Sequence, residues 1–167
     1  LRGAFAAIKP GVYEFEDLMD DDGLDARDLP IKVRIEVADK RIRLDFTGSS
    51  LQVPGNVNCT MNATQASVTY TLKALLDPEL PNNQGVLNSI DIIAPLGSLL
   101  NCSFPAATAA RAHVCQRIVD VIIGALASAI PKLVVGAANG ANTTAVFSGT
   151  DPRTGNSYIY LETIGGG

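Results

Sequence analysis

Hydrophobic and polar residues alternate most cleanly between residues 31 and 46. Ile31, Val33, Ile35 and Val37 point one way, with Lys32, Arg34 and Glu36 between them. Ile42, Leu44 and Phe46 resume the alternation against Arg41, Arg43 and Asp45. A period of two predicts strands with one wet face, and Asp39-Lys40 predicts the turn that makes them a hairpin. A short strand is expected over residues 11–15, where Tyr13 and Phe15 share a face. Residues 16–30 read as an acidic loop, and Thr47-Gly48-Ser49-Ser50 and residues 81–85 read as loops. Residues 86–94 are expected to be a strand around Ile90, Ile92 and Ile93. Residues 143–148 and 158–164 are expected to pair across the turn-forming residues 151–156.

Two stretches change to a helical period. In residues 62–76, Val68, Leu72, Leu75 and Leu76 share one side, and Asp77-Pro78 is a stop. The second stretch predicts a helix over about residues 105–130, ending before Pro131. Val114, Ile118, Val121, Ala125 and Ala129 form one face of it, and His113, Arg117, Asp120 and Gly124 form a polar stripe beside that face. Val119, Ile123, Leu126 and Ile130 make it apolar nearly all round, which suits a central helix. Asp120 interrupts the segment, and a membrane span needs about 20 apolar residues, so no membrane role is expected. The pattern predicts one α+β domain over residues 1–167. It has a largely antiparallel sheet, with two main helices packed on it and the helix at about 105–130 central.

Composition sharpens this picture in three ways. The charge balance of 13 Lys plus Arg against 17 Asp plus Glu, with no basic run, argues against nucleic acid as a partner. Hydrophobic residues at 47% and charged ones at 18% imply that some surface is covered by something else. Cys59, Cys102 and Cys115 are an odd number with no CxxC, which suits a reducing, cytoplasmic compartment. The chain begins Leu-Arg-Gly and ends on three glycines, so an excised piece of a longer polypeptide is expected.

No complete catalytic set emerges from residue chemistry. The run Asp20–Gly23 fits an EF-hand loop only in its middle. With Gly23 as the loop glycine, Leu18 and Leu29 fall where acidic ligands belong, and a solvated turn is expected instead. His113 is the sole histidine, which leaves no zinc set and no His pair. Arg117 and Asp120, three apart, are placed to pair; Asp120→Ala would then cost about 3 kcal/mol if Arg117 were left buried and alone. Arg111, early in the helix, gains nothing from the dipole and invites an outside carboxylate. The serines lack a nucleophile elbow, and Gly165-Gly166-Gly167 is not a dinucleotide fingerprint. The candidate residues are Arg111, His113, Arg117 and Asp120 on the helix, and Asp45, Asn58 and Glu162 on loops or strand ends. Their expected roles are positioning and hydrogen bonding between segments. No metal or cofactor ligand is assigned to this segment.

A series of short segments, in order and over nearly the whole chain, resembles the hydantoinase B/oxoprolinase family. They include Gly11-Val12-Tyr13 with the acidic stretch through Gly23, Leu44-Asp45-Phe46-Thr47-Gly48-Ser49-Ser50 and Gly55-Asn56-Val57-Asn58. Ala66-Ser67-Val68-Thr69-Tyr70, Pro81-Asn82-Asn83-Gln84-Gly85 and Pro95-Leu96-Gly97-Ser98-Leu99-Leu100 follow. Pro105-Ala106-Ala107 with Arg111, Gln116-Arg117-Ile118-Val119-Asp120, Gly124-Ala125-Leu126-Ala127 with Pro131, and Glu162-Thr163-Ile164-Gly165-Gly166-Gly167 complete the series.

The resemblance implies an internal segment of a longer hydrolase subunit for ATP-dependent opening of cyclic amides, of the hydantoin or 5-oxoproline type. It implies that the family's metal-binding motifs lie outside this segment, so that a divalent metal belongs to the parent enzyme and these residues alone are inactive. The implied partners are the remainder of the same subunit and an ATP-using hydantoinase A-type subunit or domain, in an oligomeric parent. A non-catalytic protein-interaction module is the alternative reading.

Overall fold

In the computed structural model of the chain, residues 8–38, 41–79, 90–137, 140 and 143–164 are described. The elements are β1 (Gly11–Asp21), β2 (Arg27–Ala38), β3 (Arg41–Asp45), α1 (Met61–Leu76), β4 (Ile90–Ile93), α2 (Ala112–Leu126), β5 (Thr143–Thr150) and β6 (Ser157–Ile164). The first four strands form one sheet in the order β1-β2-β3-β4. β1, β2 and β3 pair antiparallel, and β4 joins β3 in parallel. A parallel neighbour needs a long crossover, and the segment carrying α1 supplies it. The α+β class holds, and the sheet is largely antiparallel as expected, with β4 added in parallel to β3.

Alternation decides which face of the sheet is covered. Leu29, Ile31, Val33, Ile35 and Val37 of β2 are all buried, as are Ile42 and Leu44 of β3 and Phe46 just beyond it. Each such side chain stabilises the fold by about 1.5–3 kcal/mol relative to leaving it in water. The opposite face is wet and charged. Glu14 lies across from Arg34 and Glu16 across from Lys32, and both pairs are in ion-pair contact.

Helix α2 lies on β1 and β2, and α1 lies against α2. Val114, Ile118, Val121 and Ala125 of α2 are buried, as the helical period predicts, together with Val68, Leu72 and Leu75 of α1. Two long loops close the core. The Cys59 amide donates to the Leu99 carbonyl at 2.7 Å and the Cys102 amide to the Cys59 carbonyl at 2.9 Å, while Leu99 and Leu100 are fully buried.

Three boundaries differ from expectation. The first strand runs to Asp21 rather than stopping at residue 15, which shortens the acidic loop to residues 22–26. The expected helix over 105–130 occupies only Ala112–Leu126. Before it, tertiary bonds claim the backbone: the Ala110 amide donates to the Asn56 carbonyl at 2.9 Å, and the Ala107 carbonyl accepts from the Asn58 side chain at 3.0 Å. After it, the chain tightens into turns, with the Ala127 amide donating to the Gly124 carbonyl at 3.3 Å and the Ala129 amide to the Leu126 carbonyl at 2.9 Å. The expected turn at Asp39-Lys40, the loop at 81–85, residues 86–89 and the closing glycines lie outside the described residues.

β5 and β6 pair antiparallel as expected but form a separate two-stranded sheet. Every residue of β6 is exposed, and in β5 only Ala145 is half-buried. Among the described residues, no helix is long and apolar enough to cross a membrane.

Candidate functional site

The polar stripe of α2 faces β1. Tyr13, Phe15, Asp17 and Met19 alternate onto the side of β1 that meets the helix. Gly124 permits the approach, because a Cβ there would sit 2.7 Å from the Phe15 ring. One turn pair earlier, Arg117 Nη1 donates to Asp17 Oδ2 at 2.6 Å. Its Nη2 lies 3.3 Å from Asp120 Oδ2. The Asp120 side chain is only 6% exposed, and the Oδ2 contact is ionic without hydrogen-bond alignment. Arg117 therefore joins two carboxylates, one from its own helix and one from a strand 100 residues away.

This junction forms one wall of a cavity of about 550 Å³. Asp17, Asp20, Asp22, Asn56, His113 and Arg117 contribute to its lining. Four segments build it: the end of β1 with the residues just after it, the loop before α1, the start of α2 with Ala110 before it, and Gly140. Asp22 is not part of a solvated turn, as its acidic neighbours suggested. It is buried, and its carboxylate accepts the amides of Leu24 at 2.9 Å, Ala26 at 3.2 Å and Gly55 at 2.9 Å. Burial pushes its carboxyl up, but these amides outweigh burial and hold it below the usual value of 3.8. Gly55 is required at this contact, since a Cβ would lie 2.0 Å from the Asp22 carbonyl oxygen.

Asn58 is fully buried and fixes the loop behind the cavity. Its Oδ1 accepts the Val53 amide at 2.8 Å, and its Nδ2 donates to the carbonyls of Val53 at 2.8 Å, Gly55 at 2.9 Å and Ala107 at 3.0 Å. Of the sequence candidates, His113 and Arg117 line the cavity, Asp120 stands behind Arg117, and Asn58 shapes the rim. Arg111 is exposed at the N-cap of α2 and donates to the Thr108 carbonyl at 3.3 Å.

The structure does not bring Asp45 or Glu162 into the cavity lining. Asp45 ends β3 and accepts the Thr47 amide at 2.9 Å. Burial pushes its carboxyl up, but the Thr47 hydroxyl and amide, with Arg43 and Arg34 nearby, bring it below 3.8. Glu162 lies on the exposed hairpin, where its carboxylate accepts the Tyr160 hydroxyl. Asp17 and Asp22 were absent from the candidate set. Asp17 falls on the side of β1 that meets the helix, where a carboxylate needs a cation. That signal is in the sequence, but only once β1 is extended past residue 15.

The arrangement combines carboxylates, one imidazole, one guanidinium and an amide. It can orient a polar ligand or hydrogen-bond a neighbouring segment. It does not suit a bound divalent cation: among the described residues, no group of three or more His, Cys, Asp or Glu side chains converges for one. Asp17 is occupied by Arg117, and Asp22 by backbone amides.

The sequence profile of the hydantoinase B/oxoprolinase family matches residues 1–167. The chain is 33% identical over 146 residues to the 5-oxoprolinase PfmaA of Pestalotiopsis fici, covering 86% of this chain and 11% of that protein. It is 32% identical over 177 residues to a Pseudomonas sp. (strain NS671) protein named as the B-type subunit of a D-/L-hydantoinase, covering 99% of this chain and 29% of that protein. In three dimensions it superposes on the ATP-dependent caprolactamase of Pseudomonas jessenii with a TM-score of 0.82. That alignment has 22% identity and covers 95% of this chain and 27% of the other. The chain thus spans between a tenth and a third of the length of these proteins. A match that runs from the first residue to the last, through the segments that frame the cavity, places this chain in the hydantoinase B/oxoprolinase family.

Proposed function

We propose that residues 1–167 form a single domain that is an internal segment of a longer hydantoinase B/oxoprolinase-type subunit. The complete protein is then a hydrolase that opens cyclic amides of the hydantoin or 5-oxoproline type. The observation that carries this reading is the end-to-end family match, shared with relatives named for those two substrates. The naming of the Pseudomonas protein as one subunit of a hydantoinase supports an A-type partner subunit or domain, and the named ATP dependence of the caprolactamase supports ATP use by that partner. The partner phosphorylates the lactam or imide carbonyl oxygen, which converts a poor electrophile into a good one, and the B-type part completes ring opening. The three free cysteines suit a cytoplasmic enzyme, and the parent is oligomeric.

Within that enzyme these residues position rather than break bonds. Arg117 holds β1 and α2 in register through Asp17 and Asp120, and His113 stands beside it at the cavity wall. Asn58 and Asp45 fix loops by bonding backbone amides. Arg111 and Glu162 are exposed and face the remainder of the subunit. The parent's divalent metal is held by that remainder, because Asp17 and Asp22 are engaged by Arg117 and by backbone amides, and no group of three or more acidic, His or Cys side chains converges among the described residues.

The test is ATP-dependent hydrolysis of 5-oxoproline and of N-methylhydantoin, by this chain and by its complete parent polypeptide, each supplied with the A-type partner. Turnover of either substrate is expected from the parent with its partner and not from the isolated chain with that partner. Turnover by the isolated chain would overturn the positioning roles. A parent that binds the A-type partner yet turns over neither substrate would favour a non-catalytic interaction module.

A further inference from the structure

Cys59 and Cys115 meet where the two helices begin. Cys59 is the residue before the N-cap of α1, and Cys115 lies in the first turns of α2. Their sulfurs are 3.5 Å apart although the residues are separated by 56 positions, and both are free thiols. Cys59 is completely buried, whereas Cys115 is half-buried. The Cys59 sulfur also lies 3.7 Å from the Arg111 carbonyl, so its proton has an acceptor on either side. Neither cysteine takes part in the cavity lining or in the roles given above.

We propose that Cys59 and Cys115 form a reversible disulfide in which Cys115 is the attacking thiol and Cys59 the resolving one, with a peroxide as oxidant. Contact between the sulfurs before oxidation leaves about 1.5 Å to close to a bond length of about 2.05 Å. Cys115, the half-buried residue of the pair, is the one that a small oxidant meets first. The hydrogen bond from the Cys59 thiol holds the Cys115 thiol below its ordinary value against the opposing effect of burial, and the Ser67 hydroxyl and Arg111 charge act in the same direction. Cys59 is correspondingly pushed up by that hydrogen bond and by burial, so it keeps its proton until Cys115 has reacted.

The chemistry balances in two steps. The Cys115 thiolate attacks one peroxide oxygen; an S–O bond forms, the O–O bond breaks, and hydroxide leaves and takes a proton to become water. Cys115 is oxidised to the sulfenic acid and the peroxide is reduced. Cys59 sulfur then attacks Cys115 sulfur; the S–S bond forms, the S–O bond breaks, and the departing hydroxide takes the Cys59 proton as a second water. A dithiol reductant restores both thiols. The oxidised form ties the start of α1 to the start of α2, beside the rim residues Asn56 and Val57.

The experiment treats the folded chain with hydrogen peroxide, blocks remaining thiols with N-ethylmaleimide, and maps the linked peptides by mass spectrometry. A Cys59–Cys115 peptide pair lighter by two hydrogens, lost again with dithiothreitol, is expected, with Cys102 alkylated. Cys102→Ser leaves that link in place. Cys59→Ser instead carries Cys115 on to the sulfinic acid, because nothing resolves the sulfenic acid. The same chain in guanidinium chloride gives mixed pairings that include Cys102. A folded wild-type chain whose Cys115 stays reduced, goes to sulfinic acid, or links to Cys102 overturns the proposal.

Discussion

The four-stranded sheet with its helices and the β5–β6 hairpin are built from similar residues but differ in what covers them. In the sheet, β2 sends five apolar side chains to one face and all five are buried. In the hairpin, Val146 pairs with Leu161 and Phe147 with Tyr160, which places large apolar side chains on both faces, and all four are exposed. Phe147 and Tyr160 meet in a tilted ring contact, with centroids 6.3 Å apart. A lone two-stranded hairpin is marginal in water. The difference teaches that strand pattern alone determines pairing, whereas burial needs a partner surface. On the reading proposed above, the remainder of the subunit would supply that surface for the hairpin.

The sharpest way to break this comparison is to make one substitution in both regions. Leu44→Ala, in the sheet, should cost about 3 kcal/mol of unfolding free energy. Leu161→Ala, on the hairpin, should change it by less than about 0.5 kcal/mol in the isolated chain. Urea denaturation measures both, and equal losses would show that the hairpin shares the core.

The next effect concerns the junction of β1 and α2. Arg117→Ala should destabilise by about 3 kcal/mol, because Asp120 is then buried without a cation. Asp120→Ala should cost less, about 1 kcal/mol, since Arg117 keeps Asp17. That ordering revises the sequence expectation, which lacked Asp17. A larger loss for Asp120→Ala would place the main pairing within the helix. Gly55→Ala should cost about 2 kcal/mol by forcing the loop away from the Asp22 carbonyl, measurable as a lower melting temperature.

The smallest effect is acid sensitivity. Asp22 and Asp45 have carboxyls lowered below 3.8 in the folded chain. Their contribution is therefore fully present above that value and is lost as pH falls through the lower folded values. Melting temperature followed down through this range should fall less steeply in Asp22→Asn than in the wild type. Parallel curves would show that the carboxylate is not linked to folding.

What the sequence revealed follows from where each partner lies. β2 and β3 were legible because their alternation is complete within a few residues. The second half of β1 was not, because Glu16 and Asp17 look like loop residues until Lys32 and Arg117 are placed opposite them. The helix over 105–130 was legible in its middle, where Ile118 and Val121 keep the period. Its start was hidden because Ala107 and Ala110 give their backbone bonds to Asn58 and Asn56, far along the chain. The polar stripe could be read as a stripe, but the strand it meets and the cavity beside it required Asp17 and Asp22. The resemblance supplied the family, which residue chemistry alone did not.

Amide hydrogen exchange of the hairpin, compared between this chain and its complete parent polypeptide, tests most directly the claim that these residues are a segment completed from outside. Amides in Thr143–Thr150 and Ser157–Ile164 should exchange fast in the isolated chain and become strongly protected in the parent, while those of Ile31, Val33 and Ile35 stay slow in both. Fast hairpin exchange in the parent as well, or strong protection in the isolated chain, would contradict the account.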